Sequence, residues 1–291
     1  NITSIAFAPL HQNILSTSSD DCSIIIWDVS EGNKLATLNH KSRVKYANWC
    51  HRVSKMAFID LHGTAYLWQG FEGWTSQGRT ARLKTGSTCT QLAWHCHKSE
   101  FLALGQSNGK ITIMKSSDKK LCDLSHASVS GEPVREMQWD TRSFTYLLTV
   151  YSNGDIVLWD TETATIMQTY CWPRKQILGV ASLSWIHGQP GTFVTVDAKG
   201  GRLREWNASQ KESISQKYIV SGSGLDERRE LMSVCPMDFA DGAHKLFCAF
   251  LDGAVGVYNF RSKRLDFLGF EGHRETIFGV EFNSADPDIL A

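Results

Sequence analysis

Three potential metal ligands stand in a row at His95-Cys96-His97. Imidazole nitrogens and a thiolate are what a tetrahedral zinc site takes. In an extended strand, however, consecutive side chains leave opposite faces, so these three do not converge on one ion. No Cys/His pair at finger spacing completes the set. Asp20-Asp21 offers two carboxylates for acid–base work or for Ca²⁺. No EF-hand pattern surrounds them, and a turn between two strands accounts for both. The Leu-Asp-Glu-Arg-Arg-Glu run at 225–230 reads as a self-paired exposed loop. The Ser/Gly stretches at 125–131 and 221–224 lack the Lys that a phosphate-binding loop needs. No G-x-S-x-G, G-x-x-x-x-G-K or H-E-x-x-H occurs. The expectation is no catalytic residue, no cofactor and no metal.

Glu205 is the exception to a clean pattern. It stands beside Trp206, where comparable strands carry Ile26 and Leu158. A carboxylate thus enters a mostly apolar strand, and burying it unpaired would be costly. Arg202, Arg204 or an arginine of a neighbouring repeat is expected to reach it.

The elements that carry these residues repeat. An aromatic closes a short apolar strand at Phe7, Trp49, Trp94, Trp139, Trp185, Phe239 and Phe282, at gaps of 42, 45, 45, 46, 54 and 43 residues. That is the period of a four-stranded propeller blade. About 20 residues after each comes a bulky residue followed by a polar one: Trp27-Asp28, Trp68-Gln69, Met114-Lys115, Trp159-Asp160, Trp206-Asn207 and Tyr258-Asn259. Turn dipeptides precede most of these: Asp20-Asp21, His62-Gly63, Asn108-Gly109, Asn153-Gly154, Gly200-Gly201 and Asp252-Gly253. One unit reads as strand, strand, tight turn, strand, strand. A single sheet of this kind cannot bury both faces, and stacked neighbours let it do so.

Composition fits one soluble globular domain of 291 residues, with 42% hydrophobic and 21% charged residues. Thirty basic residues balance thirty acidic ones, which disfavours nucleic acid and membrane surfaces as partners. No apolar run is long enough to span a bilayer, so no membrane insertion is expected. Eight cysteines without a C-x-x-C pair suggest a reducing compartment. Asn1 in place of an initiator Met, directly before a strand, suggests a fragment of a longer chain.

The Trp-Asp dipeptides at 27–28 and 159–160, Gly272-His273 before Ile277 and Asn39-His40 before Val44 resemble WD-repeat β-propellers. The resemblance implies an all-β WD40-type propeller of about seven blades. Six are complete, near 2–38, 44–83, 89–124, 134–170, 180–220 and 232–268, and another starts at 277–291. All belong to one domain over 1–291, with a further blade upstream and a second propeller in the full-length chain. The family's structural residues map onto Asp21, Trp27, Asp28, His40, Trp68, Trp159, Asp160, Trp206, Asp252 and His273. Its network joins a His, a strand Ser/Thr, a turn Asp and the Trp. The turn Asp maps onto Asp21 and Asp252, while His62, Asn108, Asn153 and Gly200 stand there in the other blades, which must then lean on apolar packing.

The function implied is a non-catalytic protein-interaction scaffold in a multi-subunit cytoplasmic assembly, ciliary or cytoskeletal. Arg43, Arg135 and Arg274, at or just before first strands, are the nominated partner-binding residues. A propeller enzyme or a nucleic-acid-binding propeller is the alternative. An enzyme would need acidic or His residues converging at equivalent blade positions, and those positions differ from blade to blade.

Overall fold

A computed structural model describes residues 1–69, 78–170, 179–186, 188–217, 230–237, 244–268, 273, 275–277, 280–283 and 289–291. They form six four-stranded sheets, each in chain order. The first holds β1 (Ile2–Phe7), β2 (Ile14–Ser19), β3 (Ser23–Asp28) and β4 (Asn33–Asn39). The second holds β5 (Val44–Trp49), β6 (Lys55–Asp60), β7 (Ala65–Gln69) and β8 (Arg79–Arg82). The third holds β9 (Cys89–Trp94), β10 (Phe101–Gln106), β11 (Ile111–Lys115) and β12 (Lys120–Leu124). The fourth holds β13 (Val134–Trp139), β14 (Tyr146–Tyr151), β15 (Ile156–Asp160) and β16 (Thr165–Tyr170). The fifth holds β17 (Val180–Trp185), β18 (Thr192–Asp197), β19 (Leu203–Asn207) and β20 (Ser215–Lys217). The sixth holds β21 (Leu231–Pro236), β22 (Lys245–Phe250), β23 (Val255–Asn259) and β24 (Arg264–Phe267). Among the described residues helix is confined to a short 3-10 turn, Ala127–Val129.

The chain divides into two compact units, one of residues 1–151, 159–165 and 283–291, the other of 152–158 and 166–282. In the first unit, one apolar cluster joins the facing sides of the first two sheets, with Ile24, Ile26, Val44, Trp49, Phe58 and Trp68 at its centre. A second cluster joins the second and third sheets through Ile59, Leu67, Leu92, Trp94, Leu102 and Leu104. The second sheet is therefore apolar on both faces, which explains why β6 reads as a near-continuous apolar run. In the second unit the fifth and sixth sheets share a core around Val194, Val196, Leu203, Leu246, Phe250 and Tyr258. Each fully buried aliphatic or aromatic side chain contributes about 1.5–3 kcal/mol.

One hydrogen bond recurs after every first strand. The next backbone N–H donates across the hairpin: Ala8 to Ile14, Cys50 to Lys55, His95 to Phe101, Asp140 to Tyr146, Ile186 to Thr192 and Met237 to Lys245, at 2.8–3.2 Å. Asn283 donates to Ile289 in the same way, at 2.9 Å. The buried Asn283 amide also donates to the Gln12 carbonyl, inside the first unit. No further sheet is formed by the described part of 277–291. The strand assigned to Phe239 ends instead at Pro236, which takes the place of the closing aromatic, and the Met237 N–H after it makes the same bond as in the other sheets. Phe239 itself lies outside the described residues.

All six sheets carry the same bulge. Pairing of the first strand with the second skips one residue: Thr3, Lys45, Thr90, Arg135, Ala181 or Met232. A bulge of this kind bends the strand and redirects the extra side chain.

Candidate functional site

The bulges lie next to a second repeated bond. In five of the sheets the N–H just past the second strand donates to the carbonyl just before the first: Asp20 to Asn1, Leu61 to Arg43, Ser107 to Thr88, Ala198 to Gly179 and Leu251 to Glu230. The distances run from 2.8 to 3.2 Å. Each bond fixes two side-chain positions side by side at the end of its sheet. The frame is constant and the residues it displays are not. They are an Asn/Asp pair, a cation with a leucine, two hydroxyls, two small residues, and a carboxylate with a leucine.

Within the first unit three of these pairs sit on consecutive sheets. Asn1 Nδ2 donates to Asp20 Oδ2 at 3.3 Å. The Ser107 hydroxyl shares hydrogen bonds with Ser87 (3.0 Å) and Thr88 (2.7 Å). Between them stand Arg43, which is exposed, and Leu61, 58% exposed. The bulged Thr3 donates through Oγ1 to the Val44 carbonyl at 2.7 Å, and Thr90 to the Val134 carbonyl at 2.6 Å. Those bonds lock neighbouring first strands together. Lys45 and Arg135 hold the same bulge position with long cationic side chains, and both are exposed. The Arg135 carbonyl is held by Gln91 Nε2 at 2.6 Å. Of the three nominated arginines, Arg43 and Arg135 thus lie at this end of their sheets, and Arg274 lies outside the described residues. Lys45, Ile2 and Leu61 escaped the sequence reading, since a bulge leaves no mark in a period-2 pattern.

The residues matched to the family's structural positions do several jobs. The indole N–H of Trp27 donates to Thr17 Oγ1 (2.9 Å), that of Trp159 to Thr149 Oγ1 (3.1 Å) and that of Trp206 to Thr195 Oγ1 (2.9 Å). In the second sheet Phe58 holds the threonine's place, and Trp68 is packed against Gly78 so closely that a Cβ there would stand 2.1 Å from its Nε1. Asp28 and Asp160 accept backbone N–H groups of the next turn, from Ser30 and Glu162 at 2.9 Å each. Asp21 accepts both the N–H and the hydroxyl of Ser23, and the hydroxyl bond holds its carboxyl below the ordinary aspartate range. Asp252 accepts from Ala254 at 3.1 Å. His273 is exposed, and its carbonyl crowds Gly253, which has φ +82°.

His40 does find a carboxylate, but it is Asp60, at 3.7 Å. Asp60 is buried and also accepts the N–H groups of His62 and Thr64. The acidic partner in this sheet stands at the end of the second strand, two residues before His62, the residue matched to the turn Asp. In the fifth sheet the same strand-end position is Asp197, which binds Arg204. Arg204 therefore does not serve Glu205. Glu205 Oε2 accepts from Ser215 at 3.0 Å and lies 3.8 Å from Lys263 of the sixth sheet. The cation from a neighbouring repeat is a lysine.

The His95 trio does not act as one ligand set. Nδ1 of buried His95 accepts the N–H groups of His97 (2.9 Å) and Lys98 (3.0 Å), and its Nε2 meets the Phe144 carbonyl at 3.1 Å. Its ring lies 4.3 Å from that of Trp139. His97 Nε2 is bonded to the Thr141 carbonyl, and Cys96 Sγ to that of Asp140. All three tie the 95–100 turn to the 140–144 turn. Among the described residues no group of three His, Cys, Asp or Glu side chains is placed to hold a metal ion. Asp20 is engaged by Asn1 and Asp21 by Ser23 of its own turn, and 221–229 lies outside the described residues. Ser125, His126, Ala127, Ser130 and Gly131 line a recess of about 460 Å³ with Asn108 and Lys110, where Lys110 is engaged by Asp123 at 3.0 Å.

Two comparisons match this architecture. Residues 93–188 match the family model described as the anaphase-promoting complex subunit 4 WD40 domain. The solved structure of U3-55K superposes with a TM-score of 0.76, covering 99% of this chain and 86% of that chain at 16% identity. At that identity the likeness is one of fold. The all-β class and the six four-stranded modules of the WD40 type are borne out.

Proposed function

We propose that the chain is a non-catalytic protein-interaction scaffold, working within a large cytoplasmic assembly through the loops and strand ends of its sheets. The observation that carries this is the constant hydrogen bond with changing side chains, from Asn1/Asp20 through Arg43/Leu61 to Glu230/Leu251. A fixed backbone frame that displays different residues at each repeat is a recognition surface, not a shared reaction centre. The groups best suited to chemistry, His95, Cys96, His97, Asp20 and Asp21, are engaged in local hydrogen bonds. That favours the scaffold over the enzyme.

Segments 2–38, 180–209 and 249–291 resemble WD-repeat-containing protein 17. On that resemblance we place the chain in a longer cytoplasmic protein with a second propeller, in a ciliary or cytoskeletal setting. The test is proximity labelling in cells with the full-length protein, compared with the same protein lacking residues 1–291. A defined set of partners should disappear with the deletion. An unchanged set would overturn the scaffold reading.

A further inference from the structure

The end of the second sheet carries an unanswered charge beside exposed apolar surface. Ile2 and Leu61, at 66% and 58%, are the two most exposed large aliphatic or aromatic side chains among the described residues. Two hydrogen bonds link the segments that carry them. Thr3 binds the Val44 carbonyl, and Leu61 binds the carbonyl of Arg43, the residue before Val44. Lys41, Arg43 and Lys45 are exposed here, and no carboxylate of the described residues pairs with any of them. The nearby acids are engaged: Asp20 by Asn1, Asp21 by Ser23, and Asp60 by His40. Lys45 is held outward by its bulge.

We propose that Ile2, Arg43, Lys45 and Leu61 form an anchor for an extended peptide with a carboxylate next to an apolar side chain. This rests on the scaffold reading and names the chemistry of one of its contacts. Arginine binds a carboxylate through two parallel N–H bonds, and it anchors interfaces out of proportion to its frequency. Ile2 and Leu61 flank that pair and shield it from water, which strengthens it. An isolated phosphate backbone would use the cations but leave both aliphatic residues without a partner. That favours peptide over nucleic acid.

The test pans a 16-residue random peptide display library on the folded chain. Recovered peptides should carry Asp or Glu within two positions of Leu, Ile, Phe or Met. Synthetic copies should lose about tenfold or more in affinity to Arg43→Glu and to Leu61→Ser, the scale of a hot-spot residue. Arg79→Glu on β8 should leave affinity unchanged, and circular dichroism should show all three variants folded. Binding should also weaken with added salt. Peptides that bind but ignore Arg43→Glu overturn this anchor while leaving the scaffold reading intact. A library with no recovered acidic–apolar sequence overturns it too, as does equal competition by oligo-dT. Proximity labelling with Arg43→Glu keeps the two readings apart, because the scaffold fails only if deletion of 1–291 changes nothing.

Discussion

The Trp139 indole N–H donates to the Ala93 carbonyl at 3.1 Å, reaching from the fourth sheet into the third. The same reach recurs one sheet back, from Trp94 to the Asn48 carbonyl at 3.0 Å, and again from Trp49 to that of Ala6 at 3.2 Å. The acceptor is each time the residue before the preceding sheet's own closing aromatic. Phenylalanine fills the pocket without the donor. Trp139→Phe should therefore cost about 1–3 kcal/mol, from one lost hydrogen bond and a small void. Urea denaturation followed by circular dichroism measures it, and a variant as stable as the parent would show that the indole acts only as bulk.

Arg204 and Asp197 form a buried pair, with two bonds of 2.7 Å and 3% and 1% side-chain exposure. Removing Arg204 leaves the Asp197 carboxylate buried without the cation that meets both its oxygens, and removing Asp197 takes both of those bonds from Arg204. Arg204→Met and Asp197→Leu should each cost about 3–5 kcal/mol, and the double variant much less than their sum. A double-mutant cycle from denaturation midpoints reads the coupling. Additive single costs would mean that water, not the partner, satisfies each charge.

Much of this fold was readable because β period and turn chemistry are local. The strand-closing aromatics and the Asn-Gly or Asp-Gly turns mark the hairpins directly. What stayed hidden depends on register and on neighbours distant in sequence. Lys45 and Arg135 look like ordinary strand residues until the skipped pairing exposes them as bulge positions. Asp60 and Asp197 close their second strands, where a carboxylate resembles the start of a turn, and only the fold shows them buried against His40 and Arg204. Glu205 was visible as an anomaly, but its lysine lies 58 residues onward in another sheet, at Lys263.

Gln106 occupies the strand-end position of Asp60 and Asp197 in the third sheet and is fully buried. Its Nε2 donates to Thr112 Oγ1, which donates to Asp123, both at 2.8 Å. Its Oε1 has no partner among the described residues. Gln106→Met removes that orphan acceptor along with one donor, so stability should change by less than about 1 kcal/mol. Thr112→Val strands both the amide and a carboxylate oxygen and should cost about 1–3 kcal/mol. Denaturant midpoints of the two variants give the comparison. A larger loss for Gln106→Met than for Thr112→Val would mean that Oε1 is in fact satisfied.

Burial pushes His95 down to about 4, against which its bond to the Phe144 carbonyl pulls upward, while Lys98, His97 and His51 add repulsion. Above pH 6.5 the imidazole is neutral in both folded and unfolded chains, and it imposes no pH dependence. As pH falls below 6.5 the unfolded chain takes up a proton that the folded chain refuses until about pH 4. Stability contributed by this group must therefore decline between those limits, by at most about 1.4 kcal/mol per pH unit, and level off below them. Carboxylates held low, such as Asp28 through Ser30 and Glu100 through Lys55, lose their stabilisation only as pH falls below the ordinary carboxylate values, beneath pH 5. They remain in a His95→Gln variant, which keeps a side-chain donor and an acceptor in the turn. Urea denaturation at pH 7 and pH 5 should show the parent losing more stability than His95→Gln, even if the variant starts lower. Equal losses would mean that His95 titrates as an ordinary exposed histidine, and that the 95–100 turn opens readily enough for water to reach it.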